Sequence, residues 1–316
     1  MEVFAPVYYN SFKCIADKCR HSCCIGWDVE IDAVTLDTYT NIGGELGNKI
    51  KENIIYNDDI PCFKLNDKKR CPFLKENGLC EIILELGEEN ICDICTDHPR
   101  FRNYFSDRVE IGLGLCCEEV SRIILTEDYD LNLCCIEEIS DEEEIPDEIE
   151  KYVLLVRDEL FGIIKNSEYD YSKCRSGISR IIEREIPVFD NKDISEIYLP
   201  LEMLENSWGC LITDFSQRDF NMQEICEKYS NYSKRILNYF IFRHFSDAVY
   251  DGRICERAIF AILSTELILS LAYSLSDDKF DVNQLCEIAR RYSSEIEYSD
   301  ENIDKILDYI AKKSTE

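Results

Sequence analysis

Four cysteines fall within the eleven residues from Cys14 to Cys24, in the segment CIADKCRHSCCIGWD. Thiols packed this densely restrict a chain to a disulfide scaffold, a metal protein or a thiol enzyme. The chain has 316 residues, enough to bury a full core without covalent staples. Its opening, MEVFAPVYYNSFK, lacks a basic start followed by an apolar run, so the expectation is a cytoplasmic protein. In a reducing compartment structural disulfides are rare, which leaves the metal and the thiol enzyme.

The distribution of the cysteines supports the metal. Of eighteen, eleven lie in the first 117 residues. Cys14 and Cys19 bracket four residues, and Cys19 and Cys23 bracket three. A helix over Cys19 to Trp27 would set Cys19 and Cys23 one turn apart on one face. In CPFLKENGLCEI, a turn at Asn77-Gly78 would bring Cys71 and Cys80 to one end of two short extended arms. Cys92 and Cys95 have the two-residue gap of a metal knuckle or a redox pair, and Cys116 and Cys117 are adjacent. These thiols outnumber the ligands of one site, so they imply a second site or several thiols that only pack. All-thiolate ligation favours iron–sulfur or zinc over magnesium or calcium. Ligand-free packing is the competing reading, but packing thiols do not usually fall in doublets. A thiol–disulfide enzyme on Cys92 and Cys95 would need a thioredoxin-like strand–helix junction, and none is visible. His21 and His98 sit inside the cysteine groups as ligands, proton carriers or supporting groups. His244, in YFIFRHF, reads as packed.

The expected fold is mainly α: an irregular, cysteine-rich, metal-binding N-terminal part (1–125), an acidic linker (126–150) and a helical bundle (151–316). Turn formers such as NIGGELGN and NDDIPC break up the first part, with FKLN and CPFL as candidate short strands. EEISDEEEIPDEIE, 137–150, holds nine acidic residues and no basic one, and reads as a solvated linker leading into a helix after Pro146. Helical periodicity begins at Lys151, with Val153, Val156, Leu160 and Ile164 in register. One long helix is expected over 222–252, ended by Gly252. The stretch 255–275 is apolar on most sides and reads as the central buried helix. Two amphipathic helices follow over 281–298 and 299–313, the last capped by Ser299.

The formal net charge of -29 argues against nucleic acid and suits a basic partner. The longest apolar stretch is too short for a membrane span and carries Glu266.

YYNSFKCIADKCRHSCCIGWDVEID, RCPFLKENGLCEI, CTDHPRFRN and GLGLCCEEVSRIIL occur in this order between Tyr8 and Leu125. Together they resemble the flagellin lysine-N-methyltransferases, a branch of the cysteine-cluster proteins. The resemblance implies transfer of methyl groups from S-adenosylmethionine to lysine side chains of flagellin. It also implies an iron–sulfur cluster, four-iron in type, bound by N-terminal cysteines. On the family pattern the recurrent thiols correspond to Cys14, Cys19, Cys23, Cys24, Cys71, Cys80, Cys95 and Cys117. Cys62, Cys92 and Cys116 fit it less regularly, which breaks up the apparent Cys92–Cys95 pair. The chain has no C-x3-C-x2-C triplet and no complete G-x-G-x-x-G loop; GLGL at 112–115 lacks the third glycine. Neither standard way of holding the methyl donor is therefore present. Arg100 and Arg102 are candidates for its carboxylate, with a structural ion pair as the alternative. Tyr8, Tyr9 and the HPRFRNYF stretch lie near the cysteine motifs and suit a cationic amine. A reading from another class is a non-enzymatic metal-binding protein with a helical partner-binding domain.

Cys23→Ser and Cys71→Ser are expected to lose the metal centre, whereas Cys226→Ser and Cys286→Ser keep it. Iron, zinc and sulfide analysis of anaerobically purified protein checks this. Equal loss at all four positions would remove the case for an N-terminal ligand set.

Overall fold

The structure is a computed structural model that describes residues 1–139, 145–168, 170–218, 220–276 and 280–314. The chain divides into two compact units. One comprises Met1–Phe12, Arg102–Cys116 and Val120–Glu316; the other comprises Lys13–Phe101 and Cys117–Glu119.

Mainly helical architecture is what the periodicity of the second half predicts, and the larger unit has it. At its centre is the helix Ile254–Ser274, buried continuously from Arg257 to Ala272. It packs against helices Met222–Lys228, Ser230–His244, Val282–Tyr292 and Asp300–Lys313. An apolar helix needs cover on every side, and these neighbours supply it. The helix Glu148–Asn166 begins just after Pro146, with Asp147 as its N-cap accepting from the Glu150 amide at 2.8 Å. Ser299 caps the last helix by accepting from the Asn302 amide at 3.3 Å.

Several expectations need correction. The long helix over 222–252 is broken at Tyr229 and again at a 3-10 turn, Phe245–Asp247. The Ser233 hydroxyl donates to the Cys226 carbonyl at 2.7 Å, taking a side-chain hydrogen bond across the first break. Gly252 does end the run, in the left-handed region at φ 71°. The amphipathic segment over 281–298 leaves α geometry at Ser293 and finishes as a π-helix, Ser293–Glu297. FKLN contributes only Phe63 to a strand, and CPFL forms a turn.

Among the described residues six strands form: β1 Glu2–Pro6, β2 Ile54–Asn57, β3 Ile60–Phe63, β4 Arg100–Tyr104, β5 Arg108–Leu113 and β6 Leu133–Glu138. A four-stranded sheet has the order β4-β5-β1-β6, with β1 parallel to β5 and antiparallel to β6. So residues 133–138, expected within an acidic linker, are an edge strand; 140–144 of the acidic run lie outside the described residues. The strand period of two sends Val109 and Ile111 to one face, in a cluster with Val3 and Ala5. Glu110 therefore points the other way, buried, where Arg157 grips both its oxygens at 2.7 and 2.6 Å. A buried charge needs this kind of two-point partner.

The smaller unit has a core of its own built from Val29, Ile31, Tyr39, Ile50, Phe63, Phe73 and Ile82, with Cys71 and Cys92 packed in it. Asp32 joins two of its short helices. One carboxylate oxygen accepts from the Thr35 amide at 2.8 Å in Ala33–Asn41, and the other from the Asp93 amide at 3.0 Å at the start of Asp93–Asp97. Partial burial pushes its pKa up, but these amide bonds outweigh that and leave it lowered.

Glu266, inside the central helix, carries a pH prediction. Burial pushes its pKa up from 4.5 to about 7, against the pull of Arg175 at 3.4 Å and the Tyr171 hydroxyl at 3.1 Å. The folded state then binds a proton that the unfolded chain has already released, so this group's contribution to stability falls as pH rises from about 4.5 to 7. At 1.36 kcal/mol per unit the whole window amounts to about 3 kcal/mol. Glu266→Gln is expected to flatten that part of the pH dependence. Urea unfolding of both proteins at pH 5 and pH 8 tests it, and parallel pH profiles would contradict it.

Candidate functional site

In the smaller unit the thiols are assembled by backbone pairing rather than by a helix. The segment Cys19–Trp27 is not helical: it is turns and a bridge, with Gly26 at φ 100°. Its carbonyls and amides bind the next cysteine segment instead. The Cys71 amide donates to the Cys24 carbonyl at 2.9 Å, and the Gly26 amide donates to the Lys69 carbonyl at 2.9 Å. The 71–80 loop turns at Gly78, which adopts φ 81°, and closes through the Leu74–Cys80 bridge. The third segment is placed by Asp32, which holds the first amide of the helix that carries Cys95.

Electrostatic reach sorts the thiols into two sets. Cys71 is in reach of Cys24 and Cys80, Cys80 of Cys24, and Cys95 of Cys24 and Cys71. Cys92 belongs with them, although the family pattern leaves it out. It is fully buried, its carbonyl accepts from the Cys95 amide at 2.9 Å, and its sulfur lies 3.8 Å from the Tyr39 hydroxyl. The second set is Cys14, Cys19, Cys23 and Cys117. Here Cys14 is exposed, and the Cys19 thiol lies 3.9 Å from Glu118, whose carboxylate also binds Arg20 at 2.8 Å. Cys23 and Cys24, adjacent in sequence, join the two sets.

Each set has a member in a proton-sharing pair. A hydrogen bond from Cys23 draws the Cys24 thiol down to about 6, against burial and helped by Ser22 and Arg70; Cys23 is raised in return. A hydrogen bond from Cys95 likewise lowers Cys92 against burial, and Cys95 is raised. Burial pushes Cys71 up to about 12 and raises Cys80. A metal bound here would displace those protons.

Among the described residues no three His, Cys, Asp or Glu side chains are grouped so as to hold one metal ion. By donor chemistry an all-thiolate set suits iron–sulfur or zinc rather than magnesium or calcium. Cys62 stands apart, its thiol on the Ile60 carbonyl at 3.3 Å. His98 lies against Trp27, ring centroids 6.0 Å apart, and burial pushes its pKa down to about 4, so it is neutral. Arg100 donates to the Thr96 carbonyl at 2.8 Å, and Arg102 follows it in β4.

The larger unit holds a buried polar network that the sequence does not advertise. The π-helix delivers Glu297, whose Oε2 takes the Tyr239 hydroxyl at 2.8 Å, His244 Nε2 at 2.8 Å and Arg243 Nε at 3.1 Å. Burial disfavours the Glu297 charge, but Arg243 and then His244 hold its pKa below the ordinary value. His244 is packed as expected, between Phe240 and Phe260, and burial lowers its pKa in spite of Glu297. Tyr298 stacks under Arg243 at 4.8 Å and meets the Cys116 sulfur at 3.0 Å. This accounts for part of GLGL. A Cβ on Gly114 would come within 2.7 Å of both the Arg243 guanidinium and the Tyr298 hydroxyl. The signal available in the sequence was the glycine; its partners lie more than a hundred residues away.

Residues 100–316 match the family described as the FliB lysine N-methylase C-terminal domain. Over 137 residues, 40% of this chain, it is 28% identical to lysine-N-methylases of Salmonella typhimurium and Salmonella choleraesuis, covering 33% of each. The flagellar biosynthetic protein FliU of Salmonella muenchen is also 28% identical over 137 residues, 78% of its length. The match thus spans about a third of the length of the two lysine-N-methylases. No solved structure matches the chain.

Gly114→Ala is expected to push Arg243 and Tyr298 out of place, costing about 1–3 kcal/mol as overpacking does. Denaturant unfolding measures the loss. A variant as stable as the parent would mean that the network has slack.

Proposed function

Because the chain belongs to the FliB lysine N-methylase family, we propose that it transfers methyl groups from S-adenosylmethionine to lysine side chains of flagellin in the cytoplasm. The match over residues 100–316 carries this reading. The name of the flagellar biosynthetic relative supports a flagellar substrate. The charge of -29 suits a lysine-bearing partner. Among the described residues no helix is long and apolar enough to cross a membrane.

The N-terminal thiols are proposed to hold an iron–sulfur cluster, of the four-iron type. Cys24, Cys71, Cys80 and Cys95 are the set supported by mutual proximity, with Cys92 beside them. Cys14, Cys19, Cys23 and Cys117 are a second thiol set, suited to a further centre or to closing the first from solvent. Such a cluster, when bound, supplies a rigid anionic nucleus for loops that have little regular structure.

In the transfer, the amine lone pair of lysine forms an N–C bond as the methyl–sulfur bond breaks, and the donor leaves as its thioether. The amine must be neutral to attack, yet its ordinary pKa is about 10.4. The chain's part is to take the proton, desolvate the nitrogen and align it with the methyl group. Arg100 and Arg102 remain proposed for the donor's carboxylate; Arg100, already anchored on the Thr96 carbonyl, would be a positioned donor.

Incubating the cluster-loaded protein with labelled S-adenosylmethionine and flagellin should place labelled methyl groups on flagellin lysines, read by mass spectrometry. Cys23→Ser should abolish the labelling, and His98→Gln should affect it less. Unlabelled flagellin in the presence of full cluster and donor would overturn flagellin as the substrate. Donor binding with no transfer to any protein would favour the metal-binding alternative.

A further inference from the structure

The larger unit contains a cavity of about 190 Å³ whose lining has a distinct chemistry. Helix Glu148–Asn166 presents Asp158 and Phe161 to it, and helix Ser230–His244 presents Asn238 and Phe242. Each pair is three or four residues apart and therefore shares one face of its helix. Tyr8 closes the cavity from the end of β1, and Asp130 lies on the approach to β6. Tyr8 and Phe242 are buried, while Asp158 and Asp130 are exposed at the mouth.

We propose that this cavity binds the alkylammonium end of a lysine side chain. The proposal rests on the methylation reading and names the place where the acceptor sits. Aromatic faces and carboxylates attract a cation. The size decides which cation. Drug-sized ligands fill about 300–1,000 Å³, so a donor carrying an adenosine is too large for this space, whereas a four-carbon chain with its nitrogen fits. The charged neighbours do not oppose it. Arg157 stands over the Phe161 ring at 5.6 Å, but both its Nη atoms are committed to Glu110. Lys165 is at the rim, half exposed, with its nitrogen on Asn132 Oδ1 at 3.0 Å and 3.9 Å from Asp130. The bound ammonium gives its proton to a carboxylate at the mouth, Asp158 or Asp130, before the nitrogen attacks, and the positive charge returns to the nitrogen as the methyl group arrives.

The test uses the full chain and two probes, butylammonium and its neutral counterpart butanol, followed by ligand-observed NMR. Butylammonium should bind and butanol should not. Asp158→Asn and Phe161→Leu should each weaken butylammonium about tenfold, as loss of one charge or one aromatic face implies. Asp214→Asn, on an exposed face of Asn206–Ser216, should leave binding unchanged and so exclude diffuse attraction to an acidic surface. Asp158 is exposed, so its variant folds normally even if Phe161→Leu does not. Equal binding of butylammonium by all variants, equal binding of both probes, or no binding would overturn the assignment. Methylation of flagellin that is unaffected by Asp158→Asn and Phe161→Leu would overturn it too, while leaving the methylation reading intact. Pocket binding lost in those variants, in a chain that methylates nothing, would sustain the cation site and defeat the methylation reading.

Discussion

The helix Ile254–Ser274 cannot rest on a surface, because it is apolar on nearly every side. It has to be surrounded, and the larger unit is arranged to do so. That requirement sets the fate of every polar group on its path. Glu266 is inside the bundle and must be answered by Arg175 and Tyr171. Arg257 reaches Asp247 at 2.9 Å and Asp251 at 2.7 Å, near the break between the two preceding helices. Ser264 meets the hydroxyl of Tyr292 at 2.8 Å, which in turn meets Tyr198 at 3.1 Å. Covering one apolar helix thus draws residues from most of the second half into one polar and aromatic lattice.

The smaller unit solves a different problem. It has no long helix to organise it, and its core is modest. Its thiols are placed by main-chain hydrogen bonds between loops and by single side chains such as Asp32, each worth about 1 kcal/mol or somewhat more. Segments held by so few bonds depend on whatever else ties them, and gathered thiols are suited to being tied by metal. In the pairs Cys23–Cys24 and Cys92–Cys95, one sulfur loses its proton more easily as its neighbour holds on.

Helices Glu148–Asn166, Ile254–Ser274 and Asp300–Lys313 were legible because apolar residues repeat at the helical period or fill the whole stretch, and the cap at Ser299 carries a side chain that accepts a backbone amide; helices Tyr171–Ile181, Asn191–Tyr198 and Asn206–Ser216 were not read. The turn at Gly78 and the stop at Gly252 were legible because only glycine adopts those angles at little cost. The sheet was not. In β5 Glu110 interrupts the apolar run, and its burial is answered by Arg108 within the strand and by Arg157, 47 residues later. The break at Tyr229 and the π-turn at Ser293 escaped notice because neither disturbs the apolar period that announces a helix.

The sequence by itself determined the crowding of thiols before residue 118, the predominance of helix and the need for one fully buried helix, since each is written in local spacing or in apolar content. Tertiary structure alone decided which thiols meet, that Cys92 sits with Cys24, Cys71, Cys80 and Cys95, that Gly114 makes room for Arg243 and Tyr298, and that Tyr8 faces Phe161, Asn238 and Phe242 across one cavity. Local spacing governs a residue's face and a turn's angle because backbone sterics act over a few residues. Which distant side chains share a site depends on how helices and loops pack, and that packing minimises exposed apolar surface and unpaired charge over the whole unit at once.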